Sequence, residues 1–184
     1  MMMQLRKFAP LALLVAGCQS GEQEPTLGEV KVAAEKYRDV KAAVADGYTT
    51  DGKCVTAQML GFPASLGAMG QHYVRRDMLG LPAKPAGGGA RVSGTGTHTD
   101  FRRPAMLVYE PQADGSLELV AVENLVFASA WHGTAGRKDP PRFHGRDYPL
   151  LRDNPATPVD EAHGWEPHYE QHLWVFRDNP NGAY

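Results

Sequence analysis

Apolar residues recur every three or four positions along residues 27–46. Val30, Ala33, Ala34, Tyr37, Val40 and Val44 share one face, the period of an amphipathic helix. Gly47 follows the last of them and suits a left-handed C-terminal cap. Further on, the pattern becomes β-like. Residues 104–110 (Pro-Ala-Met-Leu-Val-Tyr-Glu) and 117–127 (Leu-Glu-Leu-Val-Ala-Val-Glu-Asn-Leu-Val-Phe) are rich in β-formers. Asp114-Gly115 between them is a turn signal, so the two runs are expected to form an antiparallel hairpin. Residues 69–75 give another strand and 168–177 a last one. In the latter, His172, Trp174 and Phe176 alternate with Leu173 and Val175. The expected fold class is α+β: an N-terminal amphipathic helix packed on an antiparallel β-sheet, with long Pro/Gly-rich loops.

Two segments carry no clean period. Residues 133–167 are rich in Pro, Gly, Arg and Asp and read as a long structured loop or a set of short turns, a type of segment that is often functional. Residues 87–97 are glycine-rich, but their spacing matches neither a phosphate-binding loop nor a dinucleotide fingerprint, so a flexible or tightly turned loop is expected.

The N-terminus has a different pattern. Arg6 and Lys7 precede an apolar run over residues 8–15, too short to span a bilayer. Val15-Ala16-Gly17-Cys18 then resembles the lipobox of bacterial lipoprotein signal peptides. The resemblance implies cleavage after residue 17 and lipidation (palmitate-type acylation) of Cys18. Several acyl chains on one residue give an effectively permanent membrane anchor. An ordinary secretory signal is the plainer alternative. Gln19 stands where an aspartate would imply retention at the inner membrane, so the expected location is the bacterial outer membrane, facing the periplasm. Residues 18–26 form a lipidated cysteine and polar tether, and 27–184 a single α+β domain.

Removing 17 of the 184 residues leaves 167, enough for one domain that buries roughly 70% of its unfolded surface. Loss of Arg6 and Lys7 takes the formal charge from −2 to −4. There is no basic stripe, so nucleic acid is not an expected partner, and no second apolar run long enough for a transmembrane helix. With Cys18 acylated, Cys54 has no cysteine to pair with inside the chain and is read as a buried thiol, a reactive thiol or half of an intermolecular bond.

All seven histidines fall between residues 72 and 172. His72 sits in the strand-like Met69-Gly-Gln-His-Tyr73, and His98 stands two residues before Asp100 in a turn-rich segment. His168 and His172 flank Glu170. On a strand these last three share a face, but the two histidines are about 13 Å apart, too far for one ion. A metal site then needs one of them plus residues of neighbouring strands, such as His72, His98, Glu110 or Glu123. The metal-ligand candidates are His72, His98, Asp100, His168 and His172. The acid–base candidates are His72 and His172 with Glu110 or Glu123, two glutamates on the paired runs. His72 and His172 as packed, hydrogen-bonded core residues are the competing reading. There is no Gly-x-Ser-x-Gly, and Cys54 beside Lys53 is the one candidate thiol nucleophile.

The order of Asp46-Gly-Tyr48, Met69-Gly-Gln-His-Tyr73, Leu107-Val-Tyr-Glu110, Leu119-Val-Ala-Val-Glu123 and His172-Leu-Trp-Val-Phe-Arg-Asp-Asn-Pro-Asn-Gly182 is similar to a family of uncharacterised bacterial secreted proteins and lipoproteins. The similarity covers most of residues 27–182 and implies a common fold and site but no reaction. The functional expectation is a lipid-anchored cell-envelope protein binding a small molecule or a divalent metal through sheet histidines. An envelope hydrolase or lyase using those histidines with a glutamate is the alternative, and a structural envelope partner the second.

Overall fold

The computed structural model of the chain describes residues 23–82, 90–134, 136–180 and 182–184. Cys18 and the signal segment lie outside these residues, as does part of the glycine-rich run. The described chain is a mixed structure: a six-stranded antiparallel sheet with a few short helices.

Thr26 starts α1 (Leu27–Ala34). Its hydroxyl accepts from the Glu29 amide at 3.2 Å, while the Glu29 carboxylate accepts from the Thr26 amide at 2.8 Å, a reciprocal capping box. The helical pattern over 27–46 is not one helix. A 3₁₀ turn (Glu35–Arg38) follows α1, and Asp39 then leaves helical geometry with φ −85° and ψ 106°. The Asp39 carboxylate accepts from the Lys41 amide and begins α2 (Val40–Ala45). The break resets the phase. Ala43 is buried, whereas Val44, expected on the inner face, is exposed. Val30, Ala34, Tyr37 and Ala43 share a core with Tyr109, Leu119, Val122, Val126 and Leu173. Tyr109 donates its hydroxyl proton to the Tyr37 carbonyl at 2.6 Å, so a buried phenol is satisfied by the backbone it packs on.

The sheet strands are β1 (Cys54–Thr56), β2 (Ala68–Val74), β3 (Met106–Pro111), β4 (Leu117–Phe127), β7 (Leu150–Leu151) and β8 (His168–Leu173), in the order β1-β2-β3-β4-β8-β7. β5 (Arg142–Phe143) and β6 (Arg146–Asp147) make a separate small ribbon. The β3–β4 hairpin turns at Asp114-Gly115 as expected. The Gln112 amide donates to the Ser116 carbonyl at 2.8 Å, and Gly115 adopts φ 84°. The last predicted strand stops at Leu173, short of residue 177.

The sheet has an apolar cluster on each side. Leu107, Tyr109, Val122, Val126 and Leu173 belong to the core shared with the helices. Met106, Leu125 and Phe127 instead pack with Leu79, Leu81, Val92 and Trp165, which come from loops. Those loops are pinned. Val92 and the segment at residues 164–166 exchange backbone hydrogen bonds of 2.8 Å, and Arg91 reaches Asp153 and Asp160, each at 2.7 Å. The glycine-rich run has a steric purpose. A Cβ on Gly94 would meet the Leu79 carbonyl oxygen at 2.2 Å, and one on Gly96 the Met78 carbonyl oxygen at 2.1 Å. Only glycine lets this backbone lie against residues 78–80.

Candidate metal centre

Three strands deliver one polar cluster into this otherwise apolar side of the sheet. Glu123 of β4 stands in direct register with Met106 of β3 and His172 of β8. His72 of β2 lies opposite Val108, two residues along β3 from Met106, and therefore on the same face. His72 and His172 are not on neighbouring strands, as the sequence led us to expect, because β3 and β4 lie between them. Their rings nevertheless approach to 5.9 Å between centroids. The curvature of the sheet closes that gap, with Glu123 between them.

The Nε2 atoms of His72 and His172 lie 3.4 and 3.2 Å from the same atom, Oε2 of Glu123. The Glu123 side chain is 1% exposed. Its Oε2 and the His172 Nε2 are both buried with no hydrogen-bond partner among the described residues. Leaving such groups unsatisfied is costly. One ligand atom from each of the three residues lies within 4.8 Å of the others. Ligands bound tetrahedrally at about 2.1 Å stand about 3.4 Å apart, which the two Glu123 contacts already match. The group could hold a metal ion, and its donor set of two imidazoles and one carboxylate fits a first-row transition metal.

A second row of groups supports the first. Glu170, on the same face of β8, places Oε1 3.9 Å from the His172 Nδ1 and Oε2 3.4 Å from the His168 Nε2. The His168 Nδ1 is 2.9 Å from the Glu166 carbonyl and, as the donor of that bond, leaves its Nε2 to face the carboxylate. The order is therefore His172, Glu170, His168, backbone carbonyl, with Glu170 beyond hydrogen-bond distance of the His172 Nδ1 but on the side from which carboxylates orient metal-binding histidines.

The electrostatics follow from burial and these pairings. Burial pushes His72 down from its ordinary value, more than the nearby Glu123 charge pulls it up. Burial also opposes charging of His172, but attraction to Glu123 at 3.2 Å, with help from Glu170, outweighs it and raises the group to about 9. His168 is raised in the same way, burial being overcome by Glu170 and the Glu166 carbonyl. Burial opposes ionisation of Glu170 too, yet the hydrogen bond from His168 and the charges of His172, His168 and His163 bring it down to about 2. Near neutral pH these shifts favour a charged His172, a neutral His72 and an ionised Glu170.

The cluster opens into a cavity of about 480 Å³, within the range of small-molecule sites. His72, Glu123, His168 and Glu170 line it together with Val74, Met106, Leu125, Leu81, Val92 and Trp165. His163 also lines it, on the long loop. Its Nε2 is buried without a partner among the described residues, and its backbone holds φ 54°. A histidine in the left-handed region is uncommon, and such strain concentrates at functional sites.

The remaining sequence candidates lie elsewhere. Glu110 pairs in register with Glu118, and Arg177 bridges the two carboxylates, so Glu110 is a strand-end ion-pair partner away from Glu123. His98 turns its Nε2 to the carbonyls of Asp100 and Arg103, at 3.1 and 2.6 Å, and Asp100 accepts from the Arg102 amide. These two residues fix a turn ahead of β3 and do not line the cavity, although Val92 of the same loop does. His168 lines the cavity but stands outside the three-residue group. Cys54 is a free, half-buried thiol on edge strand β1. His163 and Glu170 were not among the sequence candidates. Glu170 was recognisable from its two-residue spacing to His168 and His172, whereas His163 gave no local signal.

No known protein family, curated protein or solved structure matches this chain.

Proposed function

We propose that this protein is a lipid-anchored cell-envelope module that holds one divalent transition-metal ion between His72, Glu123 and His172 and presents it to a small molecule in the adjoining cavity. The observation that carries the reading is the pair of buried ligand atoms, Glu123 Oε2 and His172 Nε2, that face each other at 3.2 Å and make no hydrogen bond among the described residues. A bound cation would satisfy both. Three protein ligands leave at least one coordination position open, the pattern of reactive rather than purely structural metal sites. The Cys18 anchor, the outer-membrane location and a single folded unit over residues 27–184 belong to the same proposal and rest on the lipobox-like segment and the length of the chain. An envelope hydrolase or lyase is the second reading. It is favoured by the open coordination position beside a strained cavity histidine, His163.

Elemental analysis of the full-length protein purified without chelators tests the metal. One equivalent is expected, removed by chelator, restored by zinc, and absent from a folded His172→Ala variant. Wild-type protein that takes up no zinc after chelator treatment would overturn the proposal.

A further inference from the structure

We infer that the cavity takes a small molecule bearing an oxyanion group, carboxylate or phosphate, and that Arg76 is the residue that recognises it. The inference uses the cavity and not the metal ion, so it stands or falls apart from the metal reading.

Arg76 reaches the cavity through the alternation of β2. His72 and Val74 line it, whereas Tyr73 belongs to the core on the opposite face of the sheet. Arg76 continues the series two residues past the strand end. It stands four residues from His72, at most about 13 Å along an extended chain. Thr49 and Val74 pair as an antiparallel bridge, which places Thr49 in the lining beside Val74, between His72 and Arg76. The Thr49 hydroxyl reaches the Val74 carbonyl only at 3.4 Å. Thr50, also in the lining, accepts from the Gly52 amide at 3.0 Å and keeps its own hydroxyl proton to donate.

The charges of the lining are matched except at Arg76. Asp51 pairs with Lys53 at 3.5 Å, Asp160 with Arg91 at 2.7 Å and Glu170 with His168 at 3.4 Å. Glu123 is shared between His72 and His172, with or without a metal ion. Arg76 is half-buried, and its Nη2 donates to the Pro82 carbonyl at 2.6 Å. No carboxylate among the described residues lies within ion-pair distance of it. The Pro82 bond holds one corner of the guanidinium and uses one of its five donors. The rest of the planar fork suits two oxygens of one carboxylate or phosphate group. Lys53 is a poorer candidate, since it is three-quarters exposed and already paired. A neutral ligand would cover Arg76 without supplying a counter-charge, which is costly for a partly buried cation.

Calorimetry on the full-length protein, both zinc-loaded and chelator-treated, tests this with succinate, inorganic phosphate and the neutral succinamide as probes. At least one anion should bind, and succinamide on the order of tenfold more weakly than succinate. The tighter of the two anions identifies the group as carboxylate or phosphate. Arg76→Gln should weaken the anion about 10- to 100-fold, the range for hydrogen bonds to a charged group, by the same factor with and without zinc. Arg76→Lys keeps the charge but not the fork and should fall between. Lys53→Gln should cost less than about fivefold, as for an exposed surface charge. Neither anion binding the wild-type protein, Arg76→Gln binding as tightly as wild type, or Lys53→Gln costing as much as Arg76→Gln would overturn the inference. If Arg76→Gln does not fold, an unchanged affinity in Arg76→Lys overturns it instead. Failure to bind zinc would remove the metal centre and leave this test standing.

Discussion

Glu123 and His172 face each other in direct register across β4 and β8, with Oε2 and Nε2 3.2 Å apart and neither atom otherwise hydrogen-bonded among the described residues. His72 approaches the same oxygen from β2 at 3.4 Å. A buried carboxylate oxygen between two imidazole nitrogens has two ways to be satisfied: a proton held on one ring, or a cation held by all three.

Proton and metal compete for His172. Its pKa, raised to about 9 by Glu123 and Glu170 against the effect of burial, means that metal entry must displace a proton over the physiological range. Zinc affinity should rise about tenfold per pH unit from pH 6.5 and level off near pH 9, with close to one proton released. Calorimetry in buffers of different ionisation enthalpy reads this directly. A pH-independent affinity would show that His172 is not a ligand.

The metal-free fold should respond in the opposite sense. His172 binds its proton more tightly folded than unfolded, so this pairing contributes fully below pH 6.5 and is lost as pH rises through about 9. Glu170, lowered to about 2, contributes above its ordinary 4.5 and loses that contribution as pH falls toward 2. His72 and His163, both pushed down mainly by burial, favour their neutral forms and add to the loss on the acid side below 6.5. Melting temperatures in chelator should therefore fall between pH 7 and 10, and saturating zinc should reverse that trend.

Glu170→Gln removes the charge that faces both His172 Nδ1 and His168 but keeps the shape. Zinc affinity should drop about 10- to 100-fold, the usual cost of losing the partner that orients a metal-binding histidine, with the far-ultraviolet spectrum unchanged. An unchanged affinity would limit Glu170 to ion pairing with His168.

Gly96→Ala tests the loop that brings Val92 over the cavity. The new methyl would sit 2.1 Å from the Met78 carbonyl oxygen, and the loop must shift to relieve it, at a cost of about 1–3 kcal/mol. Denaturant unfolding should register that loss, and Gly115→Ala, whose Cβ meets nothing within 4 Å, should lose less, by strain at φ 84° alone.

Much of the scaffold was legible locally. The β3–β4 hairpin followed from its alternation and from Asp114-Gly115, and the strands carrying His72 and His172 from their β-rich runs. Register was not legible. A β-bulge between Val108 and Tyr109 shifts the pairing so that Glu110 meets Glu118 while Glu123 meets Met106, and no periodicity in the sequence records such an extra residue. The approach of β2 to β8 depends on curvature across four strands, a property of the whole sheet. His98 and Asp100 looked like an orienting pair because of their two-residue spacing, but turn chemistry claimed both. The helix over 27–46 was misread as continuous because Asp39 fits a solvent-facing helical position as readily as an N-cap.

The most direct measurement is anomalous diffraction at the zinc edge from crystals of the zinc-loaded protein. One strong peak is expected about 2.0–2.2 Å from His72 Nε2, Glu123 Oε2 and His172 Nε2, with at least one further position open to the cavity. A zinc-loaded crystal with no peak among these three atoms, or with zinc held by other residues, would contradict the proposed metal centre.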